Sequence, residues 1–318
     1  MHFLVTGGAG FIGSHLVDAL LGRNDQVTVI DNLSTGSLDN LSAHKKNPGL
    51  SVIVASIAEY GALDAVVRDC DKVIHMAATV GVKRVLNHPL APVTTDIDTT
   101  RCLLQLCAQY RRPLLLASTS EVYGINENCP LKEDANCILG SSDRPRWGYA
   151  ASKLLTEHMV RAYSAEQDLE AIIVRLFNVI GPRQTSDYGM VVPRLIAQAR
   201  KAEPLTVFGD GTQTRTFTWV NETVDAILRL VNTSAAYGEI VNIGGTEEIS
   251  ISALANRIIQ LSESRSSLIL IPYDQAYDDA FEDMPRRQPN TEKLERLVGT
   301  RPNLTLTEML NRLLVIAN

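Results

Sequence analysis

The chain has 318 residues, 45% apolar and 21% charged, which suits a soluble globular protein with one large domain and a smaller one. Thirty basic against thirty-six acidic residues give a net charge of -6 with no basic block, so nucleic-acid binding has no electrostatic footprint, and no apolar run reaches the length of a membrane span. The five cysteines form no CxxC pair and no metal spacing, which fits reduced thiols in a cytoplasmic protein, and a start that runs straight into Phe3-Leu4-Val5 is no signal peptide.

Phe3 to Val5 reads as a short buried strand. Thr6-Gly7-Gly8-Ala9-Gly10-Phe11-Ile12-Gly13 follows, and then an apolar-periodic helix, Ser14 to Leu21. Glycines at 7, 10 and 13 allow a tight turn, a close approach of backbone to a pyrophosphate, and close packing of helix on strand. The helix N-terminus then offers N–H groups to phosphate. A second strand, Val27 to Ile30, ends in Asp31, eighteen residues after Gly13. An acid there accepts hydrogen bonds from ribose hydroxyls and repels a 2′-phosphate, which favours NAD over NADP.

A polar loop, Asn32 to Pro48, precedes a strand over Leu50 to Ala55 and a helix over Tyr60 to Arg68. Strand Lys72 to His75 runs into Met76-Ala77-Ala78, small residues that leave room for a cofactor; His75 itself reads as a packed residue. A long helix, Ala91 to Tyr110, leads to strand Leu114 to Ala117, which delivers Ser118-Thr119-Ser120-Glu121 at its carboxyl end, where ligands bind in an open parallel sheet. Thr119 is also a natural cap for a polar strand terminus.

Tyr149-Ala150-Ala151-Ser152-Lys153 carries the strongest chemical signal. In a helix Tyr149 and Lys153 leave the same face, one turn apart. An ammonium beside the phenol is expected to lower its pKa from about 10, fitting Tyr149 as a general base on a hydroxyl. Alone, such a pair is commonly a solvated face; here the glycine turn and Asp31 accompany it.

Strand Ala171 to Phe177 closes the first alternating series and runs into Asn178. The pattern loosens from about Asp187: helix Val192 to Ala202, strand Leu205 to Phe208, turn Gly209-Asp210-Gly211, strand Glu239 to Ile243, helix Ile251 to Leu261 and a closing helix, Leu306 to Leu314. The expected fold is α/β, a Rossmann-type doubly wound parallel sheet with a smaller C-terminal substrate-binding lobe. The expected division is 1–180 for the dinucleotide domain, with 205–245 partly interleaved, and 181–318 for the lobe.

Taken in order, Gly7, Gly10, Gly13, Asp31, Thr119, Tyr149 and Lys153 resemble the extended short-chain dehydrogenase/reductases, specifically the NAD-dependent nucleotide-sugar epimerases, dehydratases and decarboxylases. The resemblance runs from Leu4 to about Leu313. It implies that Tyr149 deprotonates the sugar C4 hydroxyl, that Lys153 holds the nicotinamide ribose, and that Thr119 bonds the reacting hydroxyl. Asn178 matches a residue touching the nucleotide sugar, and Arg215 and Arg287 match arginines near its diphosphate, where a planar cationic fork suits phosphate. NAD contacts are expected at Phe11 and Ile12 in the glycine turn, and at Asn32, Ser34, Thr35 and Gly36 after Asp31. Ser56 and Ile57, and Ala77, Ala78 and Thr79, complete the expected cofactor contacts.

Thr119-Ser120-Glu121 matches decarboxylases and 4,6-dehydratases, whereas simple 4-epimerases usually lack the acid. Pro145-Arg146-Trp147-Gly148-Tyr149 and Phe281 through Pro289 resemble UDP-glucuronic acid decarboxylases and UDP-apiose/xylose synthase. In those families the counterpart of Arg287 lies near the reacting carboxylate. The resemblance therefore implies decarboxylation of UDP-glucuronate through a 4-keto sugar, with 4-epimerisation and 4,6-dehydration as alternatives, and a homodimer formed through the helix before Tyr110 and the helix of Tyr149. Three stretches depart from the pattern: Asp96 stands where Asn is usual, Ala55-Ser56-Ile57 lacks the usual Asp, and Val80-Gly81-Val82-Lys83-Arg84 is unlike the corresponding loop.

Overall fold

A computed structural model describes residues 1–79, 89–185, 190–276 and 282–316. Seven strands form one parallel sheet: β1 His2–Thr6, β2 Gln26–Asp31, β3 Leu50–Val54, β4 Lys72–His75, β5 Leu114–Thr119, β6 Ala171–Leu176 and, near the end, Ile240–Ile243. The inner strands are mostly apolar because both faces of the sheet are covered there, whereas the edge strand β3 is partly exposed. Helices α1 Phe11–Gly22, α2 Leu63–Asp69, α3 Leu90–Tyr110 and α4 Arg146–Gln167 connect them. The segment Val80 to Arg84 lies outside the described residues, as do Asp187, where the looser pattern begins, and Phe281 of the C-terminal motif.

After β6 come β7 Val179–Ile180, α5 Val191–Arg200, β8 Leu205–Phe208, β9 Thr214–Arg215, β10 Thr218–Trp219 and α6 Val220–Leu230. The Ile240–Ile243 strand is β11; β12 Ile249–Ser250, α7 Ile251–Leu261, β13 Leu268–Ile271, α8 Tyr273–Ala276 and β14 Arg286–Arg287 follow, then α9 Glu292–Val298 and α10 Leu306–Ile316. The large sheet has the order β11-β6-β5-β4-β1-β2-β3. Strand β1 pairs with β2 on one side and β4 on the other, so the direction in which strands are added reverses beside it. Such a switch point opens a crevice at the carboxyl ends of the strands.

One face of the sheet packs on α1 and α6 through Leu16, Val17, Leu20, Val224 and Ile227. The other packs on α2, α3 and α4 through Val67, Leu103, Leu104 and Val160. A separate core in the lobe joins Leu195 of α5, Leu254 and Ile258 of α7 and Leu310 of α10 to Leu205 and Val207 of β8. Within 205–245, α6 and β11 join the large sheet and its core, while β8 pairs with β13 in the lobe. In a three-stranded sheet of order β12-β9-β14, Arg287 falls in register with Arg215.

Candidate active site

The crevice is a cavity of about 450 Å³ between the sheet's carboxyl ends and the lobe. At its floor the turn after β1 needs its glycines for different reasons. Gly7 has φ +69°, and a Cβ there would meet the Ala77 nitrogen at 2.8 Å; a Cβ at Gly13 would strike the Gly7 carbonyl oxygen at 2.1 Å. A Cβ at Gly10 would meet only that carbonyl, at 3.1 Å, and Gly10 lines the cavity. No side chain caps the N-terminus of α1, and no acid lies in its first turn. Those N–H groups and the dipole end fit a pyrophosphate.

Asp31 lines the same cavity and is 8% exposed. Its carboxylate accepts from the Ala9 N–H at 2.9 Å and the Leu33 N–H at 2.8 Å, which ties the two loops together and leaves acceptor capacity for ribose hydroxyls. Phe11, Ile12, Asn32, Ser34, Thr35, Ser56 and Ile57 also line this end of the cavity, and Ala77, Ala78 and Thr79 line its middle. Gly36 does not; it packs behind the wall, where a Cβ would meet the Ala9 backbone at 2.9 Å and the Asp31 carboxylate at 3.1 Å. The donor set, the acid and the open face at Gly10 therefore fit a dinucleotide.

The last three residues of β5 each hold one residue of α4. The Ala117 carbonyl accepts from Lys153 Nζ at 2.9 Å, Ser118 Oγ donates to Glu157 at 2.5 Å, and Thr119 shares a hydrogen bond with the Tyr149 phenol. Thr119 Oγ1 also accepts from the Glu121 N–H at 3.2 Å, so its capping and site roles coexist. The expected lowering of the Tyr149 pKa does not occur in this arrangement. Burial holds the phenol well above its usual value, the carboxylates of Glu121 and Asp96 add to this, and the Thr119 hydrogen bond opposes it. Lys153 is aimed at β5. Burial lowers its pKa, opposed by Asp96 and Glu157.

Asp96 on α3 is 4% exposed and accepts from the Thr79 N–H at 2.9 and 3.0 Å and from its hydroxyl at 2.9 Å. Behind Lys153, His75 sits in a closed chain: Thr6 Oγ1 lies 2.7 Å from Nδ1, and Nε2 lies 3.0 Å from Thr100 Oγ1, which donates to the Asp96 carbonyl. Burial, helped by the charge of Lys153, pushes His75 down to about 3, so the ring is neutral and structural.

Cations gather on the lobe side. Arg287 donates to Glu121 Oε1 at 3.4 Å, to Ser120 Oγ at 3.4 Å and to Asn178 Oδ1 at 3.2 Å. Its Nε is buried and has no hydrogen-bond partner among the described residues. Burial and then its neighbour Arg215 pull Arg287 down to about 9, so it stays cationic at neutral pH, with its Nε still able to donate to a further acceptor. Arg215 donates to Asp283 at 2.8 Å; Arg146 lies 3.7 Å from the same oxygen, and Tyr273 donates to the other at 2.9 Å. Asn178, at φ +25°, donates to the Thr216 carbonyl at 2.9 Å.

The cavity therefore brings together Thr119, Glu121, Tyr149, Lys153, Asn178, Arg215 and Arg287 from five separate stretches. Sequence reasoning left Arg146, Asp283 and Tyr273 without roles. Arg146 was within reach of it, since it lies three residues before Tyr149 on the same helical face. Asp283 lies in the Phe281 to Pro289 stretch that carries the resemblance but was given no role of its own there, and Tyr273 carried no signal.

Comparison with known proteins matches residues 3–244 to the NAD dependent epimerase/dehydratase family. The chain is 38% identical to a UDP-N-acetyl-alpha-D-glucosaminuronate decarboxylase of Bacillus cytotoxicus, over 95% of this chain and 93% of that one. It is 34% identical to UDP-glucuronic acid decarboxylase 1 of Danio rerio, over 97% of this chain and 71% of that one. Among solved structures, a UDP-glucuronic acid 4-epimerase from Bacillus cereus, in complex with UDP-glucuronic acid and NAD, superposes with a TM-score of 0.89. Its sequence is 30% identical, over 100% of this chain and 99% of that one.

Proposed function

The chain belongs to the NAD-dependent epimerase/dehydratase family, and from that premise we propose that it decarboxylates a UDP-hexuronate, UDP-glucuronate first, through a transient 4-keto sugar to UDP-xylose or its 4-keto pentose. The observation that carries this is the Glu121–Arg287 pair set beside the Thr119–Tyr149 hydrogen bond in one cavity. When bound, NAD supplies a hydride acceptor at the sugar C4 carbon, together with a positive charge. The glycine turn, the α1 N-terminus and Asp31 hold it at the sheet's carboxyl ends.

Thr119 fixes the C4 hydroxyl, and Tyr149 Oη takes its proton. Burial and the carboxylates of Glu121 and Asp96 hold Tyr149 in the phenol form, and the positive charge that NAD would supply opposes them. Lys153 adds a fixed ammonium one turn away. The resulting β-keto acid loses carbon dioxide as the electron pair moves from the broken C5–C6 bond into the enolate; a proton taken up at C5 gives the 4-keto pentose, and hydride returned to C4 with the Tyr149 proton returned to its oxygen gives UDP-xylose. Arg287 faces the carboxylate, and Glu121 anchors Arg287 at 3.4 Å. Arg215 and Arg146 receive the diphosphate, and Asn178 holds the lobe side of the sugar.

Two neighbouring readings rest on particular similarities. The Bacillus cytotoxicus relative favours a substrate N-acetylated at C2, and the Bacillus cereus neighbour favours 4-epimerisation; 4,6-dehydration, with Glu121 taking the C5 proton, is third. Incubation with carboxyl-labelled UDP-glucuronate and with its 2-acetamido counterpart separates them. Release of labelled carbon dioxide is expected from at least one; retention of label with UDP-galacturonate as product would defeat decarboxylation.

The proposed division at about residue 180 follows the separate cores of sheet and lobe. The exposed Leu90, Val93 and Leu155 on α3 and α4, two helices packed on each other, support a homodimer through that face. Free cysteines support the cytoplasm as its location. No helix among the described residues is long and apolar enough to cross a membrane.

A further inference from the structure

Glu157 has no part in the chemistry above, yet it is 2% exposed and lies on the face of α4 that carries Tyr149 and Lys153, at the next i, i+4 step. Its carboxylate accepts from Arg175 Nε at 3.0 Å and Nη2 at 2.7 Å, a bidentate pair from β6. It also accepts from Ser118 Oγ at 2.5 Å, on the residue between the partners of Lys153 and Tyr149. Arg175 is pinned in turn: Nη1 donates to the Glu133 carbonyl at 3.0 Å, and its guanidinium lies 4.7 Å from the centre of the Tyr123 ring. The third donor fastens this ion pair to the strand that delivers Thr119.

We propose that Glu157 is a positioning residue of the reaction, a clamp that joins α4 to the ends of β5 and β6 and so holds the Tyr149 phenol, the Lys153 ammonium and the Thr119 hydroxyl in mutual register. The inference rests on Tyr149 and Lys153 acting as proposed. The clamp also sets the charge that Lys153 meets. Lys153 faces Asp96 from α3, His75 from β4 and Glu157 from its own helix; Glu157 faces Arg175, Ser118 and Cys137. Asp96 and Glu157 both favour the charged lysine. Loss of Glu157's charge therefore lets Lys153 give up its proton at lower pH.

The test uses the full chain with its bound cofactor and whichever UDP-hexuronate turns over. Glu157→Gln keeps the shape and an acceptor oxygen but removes the charge. It should lower kcat about 100-fold, leave KM and NAD affinity within about threefold of wild type, and move the alkaline limb of the pH–kcat profile to lower pH. Ser118→Ala keeps the charge and cuts the link to β5; kcat should fall roughly tenfold with the alkaline limb in place. Ser118→Ala also decides the matter should Glu157→Gln not fold. Wild-type kcat in both variants would overturn the proposal, as would a Glu157→Gln defect confined to thermal stability with an unmoved alkaline limb. Tyr149→Phe is run alongside. Its full activity would sink the functional reading itself, whereas an inactive Tyr149→Phe beside a fully active Glu157→Gln sinks only the clamp.

Discussion

Asp283 is the anion on which Arg215 of the lobe and Arg146 of α4 converge, and Asp283→Asn tests how much of the site's stability depends on it. The side chain is 17% exposed, bonded to Arg215 at 2.8 Å and to Tyr273 at 2.9 Å, with Arg146 at 3.7 Å. Burial disfavours its charge, but Arg215, Arg146 and Arg287 prevail and hold its pKa below the usual carboxylate range. Removing one partner of a buried pair costs about 3–5 kcal/mol; the asparagine still accepts a hydrogen bond, so the low end, about 3 kcal/mol, applies. For 318 residues the unfolding entropy is about 0.7 kcal/mol/K, so Tm should fall by about 4 °C. A group with a depressed folded pKa stabilises above its unfolded value of about 3.9, and that stability is lost as pH falls through the folded value. The variant should therefore lose less stability than wild type on acidification. It should also gain more from UDP than wild type does, because Arg215 and Arg146 then lose the Asp283 charge beside them. Thermal unfolding with and without UDP, across pH, reads all three effects. An unchanged Tm together with an unchanged UDP response would refute the assignment of Asp283 as the shared counter-ion of Arg215 and Arg146.

Tyr149→Phe should lower kcat by about 10²–10⁴-fold with NAD affinity nearly unchanged, as steady-state rates and cofactor titration would show. Gly13→Ala places a methyl 2.1 Å from the Gly7 carbonyl and should abolish NAD binding in a calorimetric titration, whereas Gly10→Ala, with its nearest contact at 3.1 Å, should bind more weakly but measurably. His75 is held neutral down to about pH 3, while the unfolded chain takes up a proton below about 6.5. Its burial therefore lowers stability by up to about 1.4 kcal/mol per pH unit as pH falls between those values. His75→Gln should flatten urea-unfolding stability across that window. Leu155→Glu on α4 should convert the proposed dimer to monomer by light scattering.

Strand and helix order was legible because each element carries its own local signal. The apolar run Leu114 to Ala117, the small residues after His75 and the glycines around Phe11 depend on neighbours a few positions away. The same holds for Tyr149 and Lys153, whose shared face follows from helical spacing alone. The charge around them was not legible. Lys153 one turn from Tyr149 suggested a lowered phenol pKa; in the fold burial of the phenol raises it instead, and the carboxylates of Glu121 and Asp96, from the turn after β5 and α3, add to that.

Local spacing thus determined the dinucleotide cradle, the phenol–ammonium pair and the parallel sheet, since these rest on backbone geometry and helical period. Tertiary structure alone decided which charges meet. Arg287 lies beside Glu121 and Arg215, Asp283 beneath Arg146, and Glu157 against Ser118. Coulombic interaction and desolvation depend on distance through space, and the chain separations of these pairs, up to 166 residues for Glu121 and Arg287, carry no record of it.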